Sequence, residues 1–226
     1  MAGGTLTPAG LICVDMVRHS RRDLADRDRI QRVLDSAIRF ARDFLSLVDA
    51  HFKDTGDGYF IVLPGVCSGR TLDFLHVAIP ALVEELEPLG QSLRVGVDFG
   101  LVHLAPNDVS GTEECFDEPG IRAARLEAAA KPGEILCSEA VHQVFAPRYA
   151  DSFGTRRMRR TKDRTLAAFP LRTYRRADFR KFVADYLIDH APIDRRDSVD
   201  HADSVRPRAL VVEDDKKHSS VPGAVK

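Results

Sequence analysis

The chain has 226 residues, a formal net charge of -1 and 44% hydrophobic residues. This is enough for one globular domain with a sizeable core, alone or followed by a tail. A near-zero net charge provides no electrostatic footprint for nucleic acid or an anionic membrane, so we expect neither as a partner. No apolar run approaches the about 20 residues that cross a bilayer, and residues 1–10 lack the apolar segment of a signal peptide.

Four cysteines are scattered along the chain, at Cys13, Cys67, Cys115 and Cys137, and no two form a Cys-x-x-Cys pair. This spacing predicts reduced thiols and is not typical of disulfides or a zinc site. A cytoplasmic location follows as an expectation, because thiols stay reduced in that compartment.

The remaining residues divide into predicted strands and helices. Segments rich in apolar and β-branched residues predict strands at 10–17, 92–104 and 134–137 and hairpins at 49–63 and 149–174. Apolar residues three and four positions apart predict helices at 24–48, 70–86, 119–130, 138–145 and 176–190. Residues 191–226 are polar and charged, so we expect a disordered tail. Strands separated by helices, together with hairpins, indicate an α+β fold with a mixed sheet.

Three local features modify these elements. Gly96 and Gly100 lie inside the long strand and predict a bulge or bend there. Pro80 lies inside the second helical pattern and predicts a kink. Residues 156–164 are rich in Arg and Lys, and we interpret them as a solvated hairpin loop in preference to a phosphate-binding patch.

An acid interrupts the first predicted strand. Asp15 lies among Val14, Met16 and Val17, and a carboxylate buried in such surroundings is costly unless it is paired or bound to a metal. Residues 17–20 then lead into the first helix. Their backbone N–H groups, with the N-terminus of that helix, would face phosphate oxygens.

A second acid, Asp57, lies in the turn Thr55-Gly56-Asp57-Gly58 between two strand-like runs. Asp-Gly is a strong hairpin signal because both residues can adopt positive φ. Two acids on neighbouring strand edges would form a hard-oxygen site suited to Mg²⁺ or Mn²⁺ with a triphosphate. On these residues alone, an ordinary hairpin in which Asp57 only forms the turn is also open.

Several segments together resemble the catalytic domain of the class III nucleotide cyclases. They follow that family's order: the strand and turn at 12–20, Lys-x-x-Gly-Asp at 53–57, Arg-Val-Gly-Val in 93–100, Ala-Ala-Arg-Leu in 120–127, and Pro-Gly-Glu-Ile-Leu with Ser-Glu in 131–139. The resemblance covers residues 8–175, which would form the catalytic domain. It implies a ferredoxin-like mixed sheet with helices packed on it, and a head-to-tail homodimer with shared active sites.

The resemblance also implies roles for individual residues. Asp15, Asp57 and the backbone carbonyl of Met16 would bind two divalent ions, Mn²⁺ or Mg²⁺. Arg125 would stabilise the transition state through its guanidinium; without the resemblance it fits a surface helix arginine near Glu127. The residues that would bind the nucleoside triphosphate are Val17, Arg18, His19, Ser20, Lys53, Tyr59 and Glu114.

The chain departs from the family where the base and ribose are held. Ile121 stands where the family has Asn, and Glu114 or Cys115 stands where purine cyclases have their base-reading residue, whereas Lys53 is retained. In this respect the chain resembles the bacterial pyrimidine cyclases of anti-phage signalling. This implies a uridylate cyclase that makes cyclic UMP from UTP, ahead of CTP, as a second messenger for a separate effector. An adenylate or guanylate cyclase, or an inactive nucleotide-binding homologue, is the alternative. Tyr59 would border the base pocket or serve as a core aromatic.

Overall fold

The computed structural model describes residues 5–65, 69–106, 113–114 and 117–171. The strands are β1 Thr5–Met16, β2 His51–Asp54, β3 Gly58–Pro64, β4 Leu93–Pro106, β5 Glu113–Glu114, β6 Ile135–Ser138, β7 Arg157–Arg160 and β8 Thr165–Leu171. The helices are α1 Leu24–Phe44, α2 Gly69–Leu86, α3 Glu118–Ala129 and α4 Glu139–Tyr149. The predicted helix at 176–190, the predicted tail at 191–226 and the end of the predicted domain at 172–175 lie outside the described residues.

One mixed sheet organises these elements, in the order β2-β3-β1-β4-β6-β8-β7, with β5 paired to β4 beyond this series. The β4–β6 pair is parallel, whereas the other neighbours in the series are antiparallel. The first part, β1-α1-β2-β3-α2-β4, has the strand arrangement of a ferredoxin-like core. The predicted α+β fold with a ferredoxin-like mixed sheet is therefore confirmed.

Several predicted boundaries are corrected. Helix α1 ends at Phe44 and not at residue 48, because Ser46 has φ of 51°, which a right-handed helix does not accommodate. Leu47 is nevertheless buried, so the apolar pattern continues past the helix end. Residues 157–160 form strand β7, which confines the basic turn to 161–164. Pro80 lies within α2 without ending it.

The two glycines of β4 do not produce a bulge. The β1–β4 register runs unbroken from Met16↔Leu93 to Thr5↔Leu104. The glycines instead provide room for α3: a Cβ on Gly96 would lie 2.1 Å from the carbonyl oxygen of Ala123, and one on Gly100 would lie 2.6 Å from Pro119. The absence of two side chains thus fixes where α3 contacts the sheet.

The two faces of the sheet are covered differently. Helices α1, α2 and α4 bury a large apolar cluster against one face, which we call the apolar face; its fully buried side chains include Ile12, Leu34 and Phe74. The other face, the α3 face, has two smaller clusters, one around Leu11 and one around Leu126. None of the helices in the described ranges is long and apolar enough to cross a membrane.

Two of the four cysteines lie in the described residues. Cys13 and Cys137 are free and buried. Burial, followed by the nearby Glu127 carboxylate, raises the pKa of Cys13 to about 12. Cys67 and Cys115 lie outside the described residues.

Candidate active site

The two predicted metal acids meet at one end of the sheet. Asp15 pairs with Gly58 in the β1–β3 ladder, and the Met16 N–H donates a hydrogen bond of 2.8 Å to the carbonyl oxygen of Asp57. Gly58 permits this approach, since a Cβ there would lie 1.8 Å from the carbonyl oxygen of Val14. The hairpin prediction is confirmed, but the positive φ is at Gly56 (90°) and not at Asp57 or Gly58.

Burial and the Asp15 carboxylate both raise the pKa of Asp57. Burial is the largest cause that raises the pKa of Asp57, the charge of Asp15 is the second, and a hydrogen bond with the Asp15 side chain adds to both. Its own backbone hydrogen bond and His19 act in the opposite direction. A pair of acids in such close contact favours a cation between them.

Arg94 supplies a positive charge to this pair from β4. Its Nη2 lies 2.5 Å from Asp15 Oδ2 and 3.0 Å from Glu127 Oε1, and its Nε lies 3.1 Å from Asp15 Oδ2. Burial, followed by the charge of Asp15, raises the pKa of Glu127 to about 7 although Arg94 opposes the shift. Asp15, Arg94 and Glu127 therefore form one electrostatic network, which extends from β1 through β4 to α3.

These residues fit a divalent cation. Asp15 and Asp57 provide two carboxylates, the kind of hard oxygen ligand that Mg²⁺ and Mn²⁺ prefer. The Met16 side chain is 1% exposed within the apolar cluster, which leaves its backbone carbonyl as the available ligand. Within the described ranges, no group of three or more His, Cys, Asp or Glu side chains is placed to hold a metal. A metal held here would therefore depend on carbonyl or substrate oxygens as well as the acid pair.

The predicted phosphate-binding turn has its own local structure. Arg18 has φ of 60°, and His19–Arg21 forms a short 3-10 helix before α1 begins. The Asp23 carboxylate caps α1 by accepting a hydrogen bond of 2.8 Å from the Asp26 N–H. The cap takes up one N–H of the first helical turn, and the prediction that this turn and the α1 N-terminus face phosphate stays a prediction.

Within that turn, the four predicted residues have different surroundings. Arg18 and Ser20 are exposed, Val17 is half-buried and its carbonyl accepts a hydrogen bond of 2.9 Å from Gln91, and His19 is 6% exposed. Burial lowers the pKa of His19, and the charge of the nearby Asp57 opposes this shift. The turn thus combines exposed groups with one buried imidazole.

The predicted base-binding residues lie on three different strands. Lys53 is exposed on the edge strand β2. The Tyr59 hydroxyl donates a hydrogen bond of 2.7 Å to Asp35 of α1, and its ring packs against the apolar cluster, on the opposite face from Asp15. Glu114 lies in β5, where its backbone pairs with Ala105. Ile121 is 42% exposed on α3. The place of Lys53, Tyr59 and Glu114 in a base pocket stays a prediction.

Arg125 lies away from the acid pair of its own chain. Its Nη2 is 2.6 Å from Asp163 in the β7–β8 turn, and its Nη1 is 3.6 Å from Glu118. It precedes Glu127 by two residues, which places the two side chains on different sides of α3. Within one chain, α3 therefore presents Glu127 to Arg94 and directs Arg125 elsewhere.

Sequence reasoning overlooked three charged groups in the described part of the site. Arg94 and Asp98 interrupt apolar stretches of β4, as Asp15 interrupts β1. The cost of burying a charge among apolar residues could therefore have identified them too. Asp98 is 0% exposed and accepts a hydrogen bond of 2.6 Å from Arg122 Nε. Glu127 gave no such signal, because its role depends on how closely α3 approaches Gly96.

Comparison with known proteins supports the fold. No protein-family model matches the sequence, and no curated protein matches it either. The structure is similar to the guanylyl cyclase Cya2, with a TM-score of 0.59 and 13% identity over 77% of this chain and 96% of that chain. A second similar structure is the catalytic core of a rhodopsin-guanylyl cyclase with converted specificity in complex with ATPαS. Its TM-score is 0.58, and its identity is 16% over 77% of this chain and 100% of that chain.

A third is the adenylate/guanylate cyclase/hydrolase from Silicibacter pomeroyi, with a TM-score of 0.56 and 23% identity over 75% of this chain and 98% of that chain. The three likenesses span nearly the full length of the chains compared. They show that this chain has the class III nucleotide cyclase fold.

Proposed function

We propose that this protein is a nucleotide cyclase, which converts a nucleoside triphosphate to its 3′,5′-cyclic monophosphate and pyrophosphate. The observation that carries the proposal is the contact between Asp15 and Asp57, which the β1–β3 ladder brings together at one end of the sheet. The fold supports it, since similarly folded structures are described as guanylyl or adenylate/guanylate cyclases.

In this reaction the ribose 3′-oxygen forms a bond to the α-phosphorus. The bond from that phosphorus to the oxygen bridging the β-phosphate breaks, pyrophosphate leaves with the bonding electrons, and the hydroxyl proton passes to water. Two ions, Mn²⁺ or Mg²⁺, held by Asp15, Asp57 and the Met16 carbonyl, would lower the pKa of the hydroxyl and neutralise phosphate charge. The chain's own residues position the two carboxylates. The β1–β3 ladder brings Asp15 and Asp57 together, and Arg94 orients Asp15.

The substrate we propose is a pyrimidine triphosphate, UTP ahead of CTP. Lys53 is a donor that suits the carbonyls of uracil, and Glu114 is an acceptor that would suit the amino group of cytosine. Ile121 presents an apolar surface where the resembling family has an amide. A cyclic UMP product would act as a second messenger that a separate effector reads, in the anti-phage role that the sequence resemblance implies.

We also propose that the active site is shared between two copies of the chain. Arg125 is held by Asp163 and Glu118 and lies away from Asp15 and Asp57 of its own chain. It can serve an acid pair only if that pair belongs to a second subunit. Mixing Asp57→Asn with Arg125→Ala protein should then restore part of the activity, because each heterodimer has one intact site. Heterodimers without any recovery would contradict shared sites.

An inactive nucleotide-binding protein is the second candidate. Two observations favour it: Arg125 is engaged in ion pairs, and Ile121 cannot hydrogen-bond a ribose. Such a protein would bind a triphosphate without releasing pyrophosphate.

The deciding experiment supplies all four nucleoside triphosphates at equal concentration, with Mn²⁺ or Mg²⁺, to the full-length protein. Pyrophosphate release is measured, and cyclic products are resolved by mass spectrometry. We expect cyclic UMP as the main product. Cyclic AMP or cyclic GMP would overturn the pyrimidine assignment, and nucleotide binding without pyrophosphate would overturn the cyclase.

Asp57→Asn provides the matched test of the acid pair. It should lower cyclisation at least about 100-fold, comparable with removal of one electrostatic catalytic group. It should leave the protein as stable or more stable, because the raised pKa of Asp57 shows that its ionised form is disfavoured in the folded state. Asp49→Asn, an exposed site after α1, is the control and should retain activity.

A further inference from the structure

Strand β7 is the last strand of the sheet, and among the described strands it pairs with β8 alone. At the turn between them, the Thr161 N–H donates a hydrogen bond of 2.8 Å to the Arg164 carbonyl oxygen. Hydrogen-bonded and non-hydrogen-bonded pairs alternate along an antiparallel ladder, so the next pair, Arg160↔Thr165, is a non-hydrogen-bonded one. Arg160 and Met158 therefore direct their backbone N–H and C=O groups to the outer edge, where a further strand can pair with them.

This outer edge is positively charged. Four of the five residues at 156–160 are arginines. The carboxylates of Glu134 and Glu139 lie within 3.7 Å of three of them, so four positive charges meet two negative ones and a surplus of two remains. A second copy of β7 placed on this edge would bring like charges together, whereas an acidic strand would pair with them.

The chain contains one segment with that chemistry beyond the described residues. Residues 210–215 read Leu-Val-Val-Glu-Asp-Asp. The β-branched valines favour a strand, and the three acids complement the arginines. The polar tail around this segment predicts disorder when free, and pairing with a sheet edge is a common way for such a segment to become ordered.

The segment can reach β7. Arg157 at the start of β7 pairs with Ala168, three residues before β8 ends at Leu171, so the chain leaves the sheet beside the start of β7. The 38 residues at 172–209 then precede the segment. A flexible linker of this length spans about 30–35 Å. The outer edge of β7 lies only two strand spacings from β8, about 10 Å.

We propose that residues 210–215 pair with the outer edge of β7 as an additional parallel strand. In the register that sets Val212 beside Met158, Asp214 lies beside Arg160, because side chains on one face recur every second residue. Val212 would cover Met158, which is 59% exposed, and Asp214 would form an ion pair with the exposed Arg160. Since β7 and the hairpin of the acid pair lie at opposite ends of the sheet, the inference does not depend on the proposed function.

Hydrogen exchange of the full-length protein, followed by NMR at the amides of Met158 and Arg160, tests the pairing. In the proposed register Val211 directs its N–H at β7, and proline has no N–H to donate. Val211→Pro should therefore accelerate exchange of both amides about tenfold or more. Val205→Pro, the same change in the tail outside the segment, should alter exchange less than about twofold.

A charge exchange tests the register. Arg160→Asp and Asp214→Arg should each accelerate exchange at the Met158 amide, because each places like charges side by side. The two changes together restore opposite charges and should restore the slow exchange. Recovery in the double variant would also show that neither single change acts by unfolding the hairpin.

Three outcomes would overturn the inference. The amides of Met158 and Arg160 could exchange equally fast in the unmodified protein and in Val211→Pro. Val205→Pro could accelerate exchange as much as Val211→Pro, which would assign the effect to the tail at large. Slow exchange that depends on protein concentration and survives Val211→Pro would assign the edge to a second copy of the chain.

Discussion

The two faces of the sheet are stabilised in different ways. On the apolar face, three helices bury large side chains such as Phe74 and Leu34 in one continuous cluster. On the α3 face, one helix lies against Gly96 and Gly100, and charged pairs occur where that helix meets the strands. Asp15 belongs to the α3 face, although Val14 and Met16, which flank it along β1, pack into the apolar cluster.

This difference explains how Asp15 can interrupt a buried strand of a stable sheet. Alternation along β1 directs successive side chains to opposite faces, so one strand serves the core and the site together. The apolar face supplies the hydrophobic stabilisation, which is roughly proportional to the area buried. The α3 face can then hold charges whose burial is unfavourable unless they are paired.

The largest effect we expect comes from a cavity in the apolar face. Phe74→Ala should lower the free energy of unfolding by about 3–5 kcal/mol, because Phe74 is 0% exposed and the space it leaves cannot collapse fully. Val83→Ala, on the same helix but 43% exposed, should change it by less than about 0.5 kcal/mol. Urea unfolding of the metal-free protein measures both. Similar losses in the two variants would contradict the assignment of the core to this face.

A buried histidine provides a second, smaller test of the apolar face. His76 is 3% exposed, and burial lowers its pKa from 6.5 to about 4. As the pH falls through this range the unfolded chain takes up a proton that the folded chain does not, so stability falls by up to about 3 kcal/mol. In His76→Leu this loss should disappear from unfolding curves measured between pH 6.5 and pH 4.

The control for this change is His103→Leu, whose side chain is 57% exposed on the long β4 arm. It should keep the pH dependence of the unmodified protein. If His76→Leu keeps it as well, the buried imidazole is not what destabilises the fold in acid.

The α3 face should show the opposite pH dependence, with the smallest effect. The pKa of Glu127 is raised from 4.5 to about 7, so the folded chain retains a proton that the unfolded chain has lost. Stability should therefore fall by about 1–2 kcal/mol as the pH rises through this range, less than for His76 because the Glu127 side chain is 14% exposed and water partly screens its charge. Glu127→Gln should abolish that decline.

Unfolding in EDTA at pH 5 and pH 7.5 tests this expectation without bound metal. A Glu127→Gln protein whose stability still falls with rising pH would show that another group on the α3 face titrates in this range. The fall in stability with rising pH would then have to be assigned to a different residue of the α3 face.

The sequence by itself determined the local elements and the two acids. Apolar periodicity predicted α1 and α2, and the cost of burying a charge pointed to Asp15. The turn residues predicted the hairpin that contains Asp57. These signals are local, because a helix stripe, a buried acid or a tight turn depends on residues within a few positions of one another. Where local signals competed, they failed: the apolar pattern past Phe44 belongs to a loop in which Leu45 and Leu47 are buried, and not to helix α1.

Only the tertiary structure decided what surrounds those acids. Arg94 lies 79 positions from Asp15 in the chain, and the pair exists because the β1–β4 register places them opposite each other. A slip of one residue would move both side chains to the other face, and no local pattern encodes that choice. The glycines of β4 predicted a bulge from the sequence, whereas the structure shows that they make room for α3. The open edge of β7 likewise exists because β7 is the last strand of the sheet, and the order of strands depends on contacts between elements that no element's own residues reveal.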